Sequence, residues 1–224
     1  MLDQPSKARP LAKTPLLLAG LLLLVLSGCQ SMYYNTLEKF GYEKREIMVD
    51  RVGDARDAQA EAQETFRSAL ERFQSVVGAP DSDLQDKYDE ISAAYEDSKS
   101  AAAEVNQQIE DVEDVAGALF DEWETELERY SNDRLRRDSA NKLEQTKQRY
   151  ESLITAMHRA AERMDPVLNA FEDQVLYLKH NLNAQSIQGL QGQLGEIEQD
   201  VNALIRDMEQ SIAESERFIE GLRE

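Results

Sequence analysis

The chain offers few groups able to do chemistry: two histidines, one cysteine and a large stock of carboxylates. His158 precedes Glu162 by one helical turn, a spacing that puts both on one helix face. A di-metal carboxylate site of the kind held inside helical bundles needs Glu-x-x-His on each of two helices. Three residues before His158 stands Thr155, and three before His180 stands Tyr177. The motif is missing twice, so no metal is expected. His158 with Glu162 then reads as a solvent pair, and His180 as a cation near a helix C-terminus, where the dipole favours it. The runs Glu110-Asp111-Val112-Glu113-Asp114 and Asp121-Glu122-Trp123-Glu124 gather oxygen ligands. They are interrupted by stripe residues, so they read as a solvated helix face and not a Ca²⁺ loop. Gly189, Gly192 and Gly195 recur every three residues, but form no phosphate loop. No serine sits in a nucleophile elbow. No catalytic residue and no cofactor are expected.

The cysteine has a different context. Lys7, Arg9 and Lys13 precede an apolar run, Leu16 to Leu26, which is too short to cross a bilayer. Leu26-Ser27-Gly28-Cys29 follows. This order of basic, apolar and small residues before a cysteine matches a secretory signal and resembles the lipobox of bacterial lipoproteins. The resemblance implies cleavage before Cys29 and acylation of its thiol and new amino group. Residues 1–28 are then a signal peptide and 29–36 a lipidated tether. A buried CH₂ gives about 0.8 kcal/mol, so two or three acyl chains hold a protein firmly where one does not. Gln30 follows the cysteine; the absence of Asp there implies outer-membrane sorting facing the periplasm.

Composition narrows the partners. In 224 residues Asp and Glu number 44 and Lys and Arg 25, a net charge of −19. A polyanion repels phosphates, so no nucleic acid is expected. A single cysteine excludes a disulfide framework.

Beyond the signal only Pro80 and Pro166 remain. No alternating strand pattern or tight hairpin signal is present. Apolar residues instead recur at steps of three and four. One seam runs Met48, Val52, Ala55, Gln59, Ala62, Phe66, Ala69, Phe73 and Val76. A second runs from Leu84 through Ile91, Ala102 and Ile109 to Trp123. A third runs Tyr150, Ile154, Met157, Ala161, Met164, Leu168, Phe171, Val175 and Leu178, and a fourth from Ile187 through Ile197 and Met208 to Leu222. Gly78-Ala79-Pro80-Asp81-Ser82, Ser131-Asn132-Asp133 and 181–186 separate them.

The expected fold is all-α: four long antiparallel helices, about 37–77, 83–130, 133–181 and 184–222, in an up-down-up-down coiled-coil-like bundle over 37–223. Each helix would span about 60–75 Å. An oligomer of helical hairpins is the alternative assembly. Folding at these turns places Tyr150 opposite Ser211 and Ser215, and Pro166 near Ala62, Ser98 and Ile197. A kink at Pro166 leaves either a pocket or a close approach of backbones.

The same layering puts the N-terminus and the 131–133 turn at one end. Tyr33, Tyr34, Phe40 and Tyr42 beside the anchor, with Arg134, Arg136 and Arg137 at the turn, are the candidate membrane-proximal residues. Aromatic and basic side chains suit a headgroup interface. The competing reading pairs these arginines with Glu126, Glu128 and Asp138.

The stretches Lys39-Phe40-Gly41-Tyr42-Glu43-Lys44-Arg45-Glu46-Ile47 and Leu178-Lys179-His180-Asn181-Leu182-Asn183-Ala184 resemble an uncharacterised family of proteobacterial proteins. That family is commonly predicted to be lipoproteins and is classed as a domain of unknown function. The resemblance covers about residues 33–224. It implies a helical, coiled-coil-rich envelope protein and brings no catalytic residues. The expected role is structural or interactive: an anchored helical rod that meets a protein partner of the envelope. The alternative is a bundle holding an apolar ligand or lipid near Ala62, Ser98, Met164 and Pro166.

Overall fold

The computed structural model describes residues 44–78, 83–181 and 189–223. These are helical, with no strand among the described residues. Four long helices follow in order: α1 (Lys44–Gly78), α2 (Leu84–Leu127), α3 (Asp133–His180) and α4 (Leu194–Arg223). The N-caps of α2 and α3 use side-chain oxygens to satisfy orphan amides. Asp83 accepts from the Gln85 amide at 2.7 Å and starts α2. Asn132 accepts from Arg134 and Leu135 at 2.9 and 3.2 Å and starts α3.

Each helix packs on two others: α1 on α2 and α4, and α3 on α2 and α4. Cross-helix pairs give the direction. Lys44 meets Glu122 at 2.9 Å and Arg72 meets Asp97 at 3.5 Å, so α1 and α2 run oppositely. His158 meets Glu113 at 2.9 Å and Lys147 bonds Glu124, which does the same for α2 and α3. Arg163 reaches Asp207 at 3.1 Å between α3 and α4. Gln63 donates to the Ile205 carbonyl at 3.4 Å and Gln191 to that of Val77 at 3.5 Å, setting α4 and its lead-in against α1. Most of these partners are exposed, so each contributes at most about 1 kcal/mol; they select register more than they stabilise.

Burial of the seams supplies the stability. All nine residues of the first seam, Met48 to Val76, are buried. The fourth seam is buried from Ile197 through Leu222. Phe66 and Phe171 stack with centroids 6.5 Å apart and an interplanar angle of 19°.

Two boundaries differ from the sequence expectation. Helix α2 ends at Leu127 rather than 130, because Asn132 must leave helical geometry (φ −98°, ψ 109°) to cap α3. Residues 128–138 are all exposed, so no burial rewards a longer helix. Helix α4 starts at Leu194 rather than 184: a helical turn at 189–191 is broken at 192–193. Gly189, Gly192 and Gly195 each cost about 1 kcal/mol in a helix relative to Ala, which is enough to break it there. Residues 37–43 of the first expected helix and 182–188 lie outside the described residues.

Tyr150 packs against Phe218 of α4 (6.4 Å) and Phe120 of α2 (5.4 Å). Ser211 and Ser215 are buried among the α4 seam residues.

Gly117 in α2 and Gly195 in α4 have open space where a Cβ would stand. Gly117→Ala and Gly195→Ala should each stabilise the protein by about 0.5–1 kcal/mol, read as a rise in urea midpoint at unchanged slope.

Candidate interaction surfaces

Two surfaces emerge. The first is a groove of ≈ 820 Å³ between α1 and α2. Its floor is small: Ala58, Ala62, Thr65 and Ala69 on α1, with Ala94 and Ala101 on α2. Alanines facing each other across two helices leave a furrow where larger side chains would interdigitate. Its rim carries Asp54, Asp57, Glu61, Glu64, Asp97 and Glu104, with Arg72 as the one lining cation. Arg56 pairs with Asp57 at 2.6 Å, Arg67 with Glu64 at 2.9 Å, and Arg72 with Asp97 at 3.5 Å. Glu104 accepts from Gln108 at 2.7 Å and faces no cation within ion-pair distance, and neither does Glu61. The groove is thus a shallow apolar floor under a negative rim. Sequence reading located the acidic surface in general terms and missed the furrow. The signal was the run of small residues at 58, 62, 65 and 69, of which Ala62 and Ala69 belong to the seam itself.

The second surface is the α2–α3 turn. Arg134, Arg136 and Arg137 are all exposed there, at one end of α3. Arg136 bonds Asp133 at 3.1 Å and Arg129 lies 3.9 Å from Glu126. The pairing of the turn's arginines, Arg129 among them, with Glu126 is therefore seen, through Arg129; among the described residues Arg134 and Arg137 have no ion-pair partner. Lys44, where the described chain begins, pairs with Glu122 near the same end of α2. Cys29, Tyr33, Tyr34, Phe40 and Tyr42 lie outside the described residues.

The chemistry-bearing residues remain apart. His158 pairs with Glu113 on α2, not with Glu162. His180 closes α3 and is exposed. The acidic runs are partly engaged: Asp111 stands 3.8 Å from Arg51, and Glu122 and Glu124 hold Lys44 and Lys147. No group of three His, Cys, Asp or Glu able to hold a metal occurs among the described residues. The four residues proposed for an interior ligand do not line one cavity. Ala62 lines the outer groove, Pro166 is exposed, and Ser98 and Met164 are buried in the core. Ser98 bonds back to the Ala94 carbonyl at 2.8 Å. Pro166 sits on the solvent side of α3, and Glu162, whose carbonyl its missing amide frees, is exposed as well.

Residues 33–222 match the model of a family described as a protein of unknown function, DUF2959. The chain belongs to the DUF2959 family. No curated protein and no solved structure matches it. The DUF2959 match spans α1 to α4, so both surfaces are features of a member of this family. No helix among the described residues is long and apolar enough to cross a membrane.

One titration in this DUF2959 protein reports on packing. Burial, reinforced by the Glu113 carboxylate, pushes the Tyr150 phenol from 10.0 up to about 12. The folded form therefore keeps a proton that the unfolded chain gives up first. The stability this contributes is complete below pH 10 and is lost as pH rises toward 12. Urea midpoints should fall across that window, and Tyr150→Phe should flatten the fall. Tyrosinate absorbance should show one late-titrating ring that the variant lacks.

Proposed function

We propose that this protein is an acylated component of the cell envelope whose work is contact and not catalysis. In this reading Cys29 carries the lipid, the mature chain faces the periplasm from the outer membrane, and α1 to α4 close into an up-down-up-down four-helix bundle. The cyclic order of helix neighbours supports that closure. Its partner is an envelope protein with a basic, small-faced helical segment.

The observation that carries the reading is the groove between α1 and α2. Its alanine floor admits a helix backbone closely, and Glu61 and Glu104, the rim carboxylates with no ion pair among the described residues, favour a cationic partner. A few apolar anchors on the floor would supply affinity, while the rim would set approach and register.

The test is affinity capture from solubilised envelopes at native expression. Glu61→Lys with Glu104→Lys reverses the two rim charges that hold no ion pair. The reading predicts a reproducible partner that this double variant loses, and that reversal of the exposed Glu209 on α4 leaves in place. A partner indifferent to the rim, or no reproducible partner, would contradict it.

A further inference from the structure

The turn between α2 and α3 carries a surface feature that the groove does not explain. Residues 128–138 form an unbroken exposed stretch, and the first buried residue of α3 is Leu143. Within the stretch two large apolar side chains stand in solvent: Leu135 is 53% exposed and Tyr130 41%. Single exposed apolar residues are ordinary, but here two flank the same turn with arginines around them. Arg129, Arg136 and Lys142 sit beside Glu126, Asp133 and Asp138. Arg134 and Arg137, three residues apart on one face of the first turns of α3, have no carboxylate. Glu128 is the one unpaired acid nearby.

We infer that the α2–α3 turn is a membrane-docking tip: Tyr130 and Leu135 enter the interface of an anionic bilayer while Arg134 and Arg137 bind its phosphates. This rests on the proposed envelope location and deepens it by naming the element that faces the lipid. Four observations favour a bilayer over a protein groove. The surface is exposed throughout and ends the helical hairpin. Its residues are the aromatic, aliphatic and arginine types that suit a headgroup layer. Its residues 128–138 carry four arginines against three acids, in a chain of net charge −19. Cys29 lies only fifteen residues before Lys44, which pairs at this end of α2, so an extended tether reaches roughly 50 Å at most. The acidic groove does not cancel the attraction. Its α2 member nearest the tip, Gln108, is about 28 Å along the axis from Leu127, against a Debye length of about 8 Å in physiological salt.

The test uses the mature chain from residue 29 with Cys29→Ala, so that no acyl group contributes. It is sedimented with vesicles of phosphatidylcholine alone, or with phosphatidylglycerol added. The tip should bind the anionic vesicles, release in high salt and ignore the neutral ones. Arg134→Gln and Arg137→Gln should each weaken partitioning about fivefold. Leu135→Ser should weaken it several-fold, with helicity by circular dichroism unchanged in all three. Failure to bind anionic vesicles, or binding indifferent to both arginines, overturns the proposal. So does protection of Tyr130 and Leu135 from hydroxyl radicals without vesicles, which would make the chain's own 33–42 segment the occupant. Absence of acylation at Cys29 would refute the anchor while leaving these vesicle results standing, so the two failures are separable.

Discussion

Phe66→Ala should cost about 3–5 kcal/mol, the largest loss expected from any single truncation in this fold. Phe66 is fully buried on the α1 seam and stacks on Phe171 of α3, the helix across the core. Its nearest seam neighbours on α1 are Ala62 and Ala69, and the buried residues of α2 include the small Ser98 and Ala102. Small side chains cannot move in to fill a vacated phenyl, so the cavity would stay open and its walls would lose their contacts. For a chain of this size each kcal/mol moves Tm by about 2–4 °C. The measurement is a calorimetric scan, with loss of more than about 6 °C expected. Phe171→Ala should act alike. The double variant should cost less than the sum of the two, because both open one cavity.

Gln59→Met should move stability the other way, by about 2–3 kcal/mol. Gln59 lies on the same seam with no exposed surface, and neither its Nε2 nor its Oε1 has a hydrogen-bond partner. A desolvated amide left unpaired costs about 1–3 kcal/mol, whereas an apolar side chain of similar shape has nothing to satisfy. Methionine matches the length and flexibility of glutamine, so the seam need not repack. Ser211 on α4 has a buried Oγ that is likewise unpartnered, and Ser211→Ala should be neutral or mildly stabilising. Chemical denaturation should show a higher midpoint for Gln59→Met at unchanged slope. A lower midpoint would mean that the amide is satisfied in solution.

Much of this architecture is readable from residue spacing, and the exceptions have physical causes. The nine α1 seam positions are all buried, but Ile47, Leu70 and Val77 are buried beside Met48, Ala69 and Val76, where adjacent apolar residues widen the stripe beyond a single phase. On α3 the pairs Leu153 and Ile154, Ala160 and Ala161, and Val167 and Leu168 each offer two apolar choices. Packing selects Leu153, Ala160 and Val167 for full burial and leaves Ile154 and Leu168 at the edge. The α4 start was misplaced because hydrophobic period continues through 187–194 while three glycines oppose the helix. The groove was invisible to a search for buried seams, since its floor is made of residues too small to carry a strong periodic signal. The arginines of the α2–α3 turn were legible, but their division into paired Arg129 and Arg136 and unpaired Arg134 and Arg137 required coordinates.

Metabolic labelling with palmitate, followed by membrane fractionation, tests most directly whether an acylated cysteine holds this helical protein at a membrane. The wild-type chain should take up label and sediment with the outer membrane, and Cys29→Ala should do neither. Unlabelled wild-type protein in the soluble fraction would contradict the account.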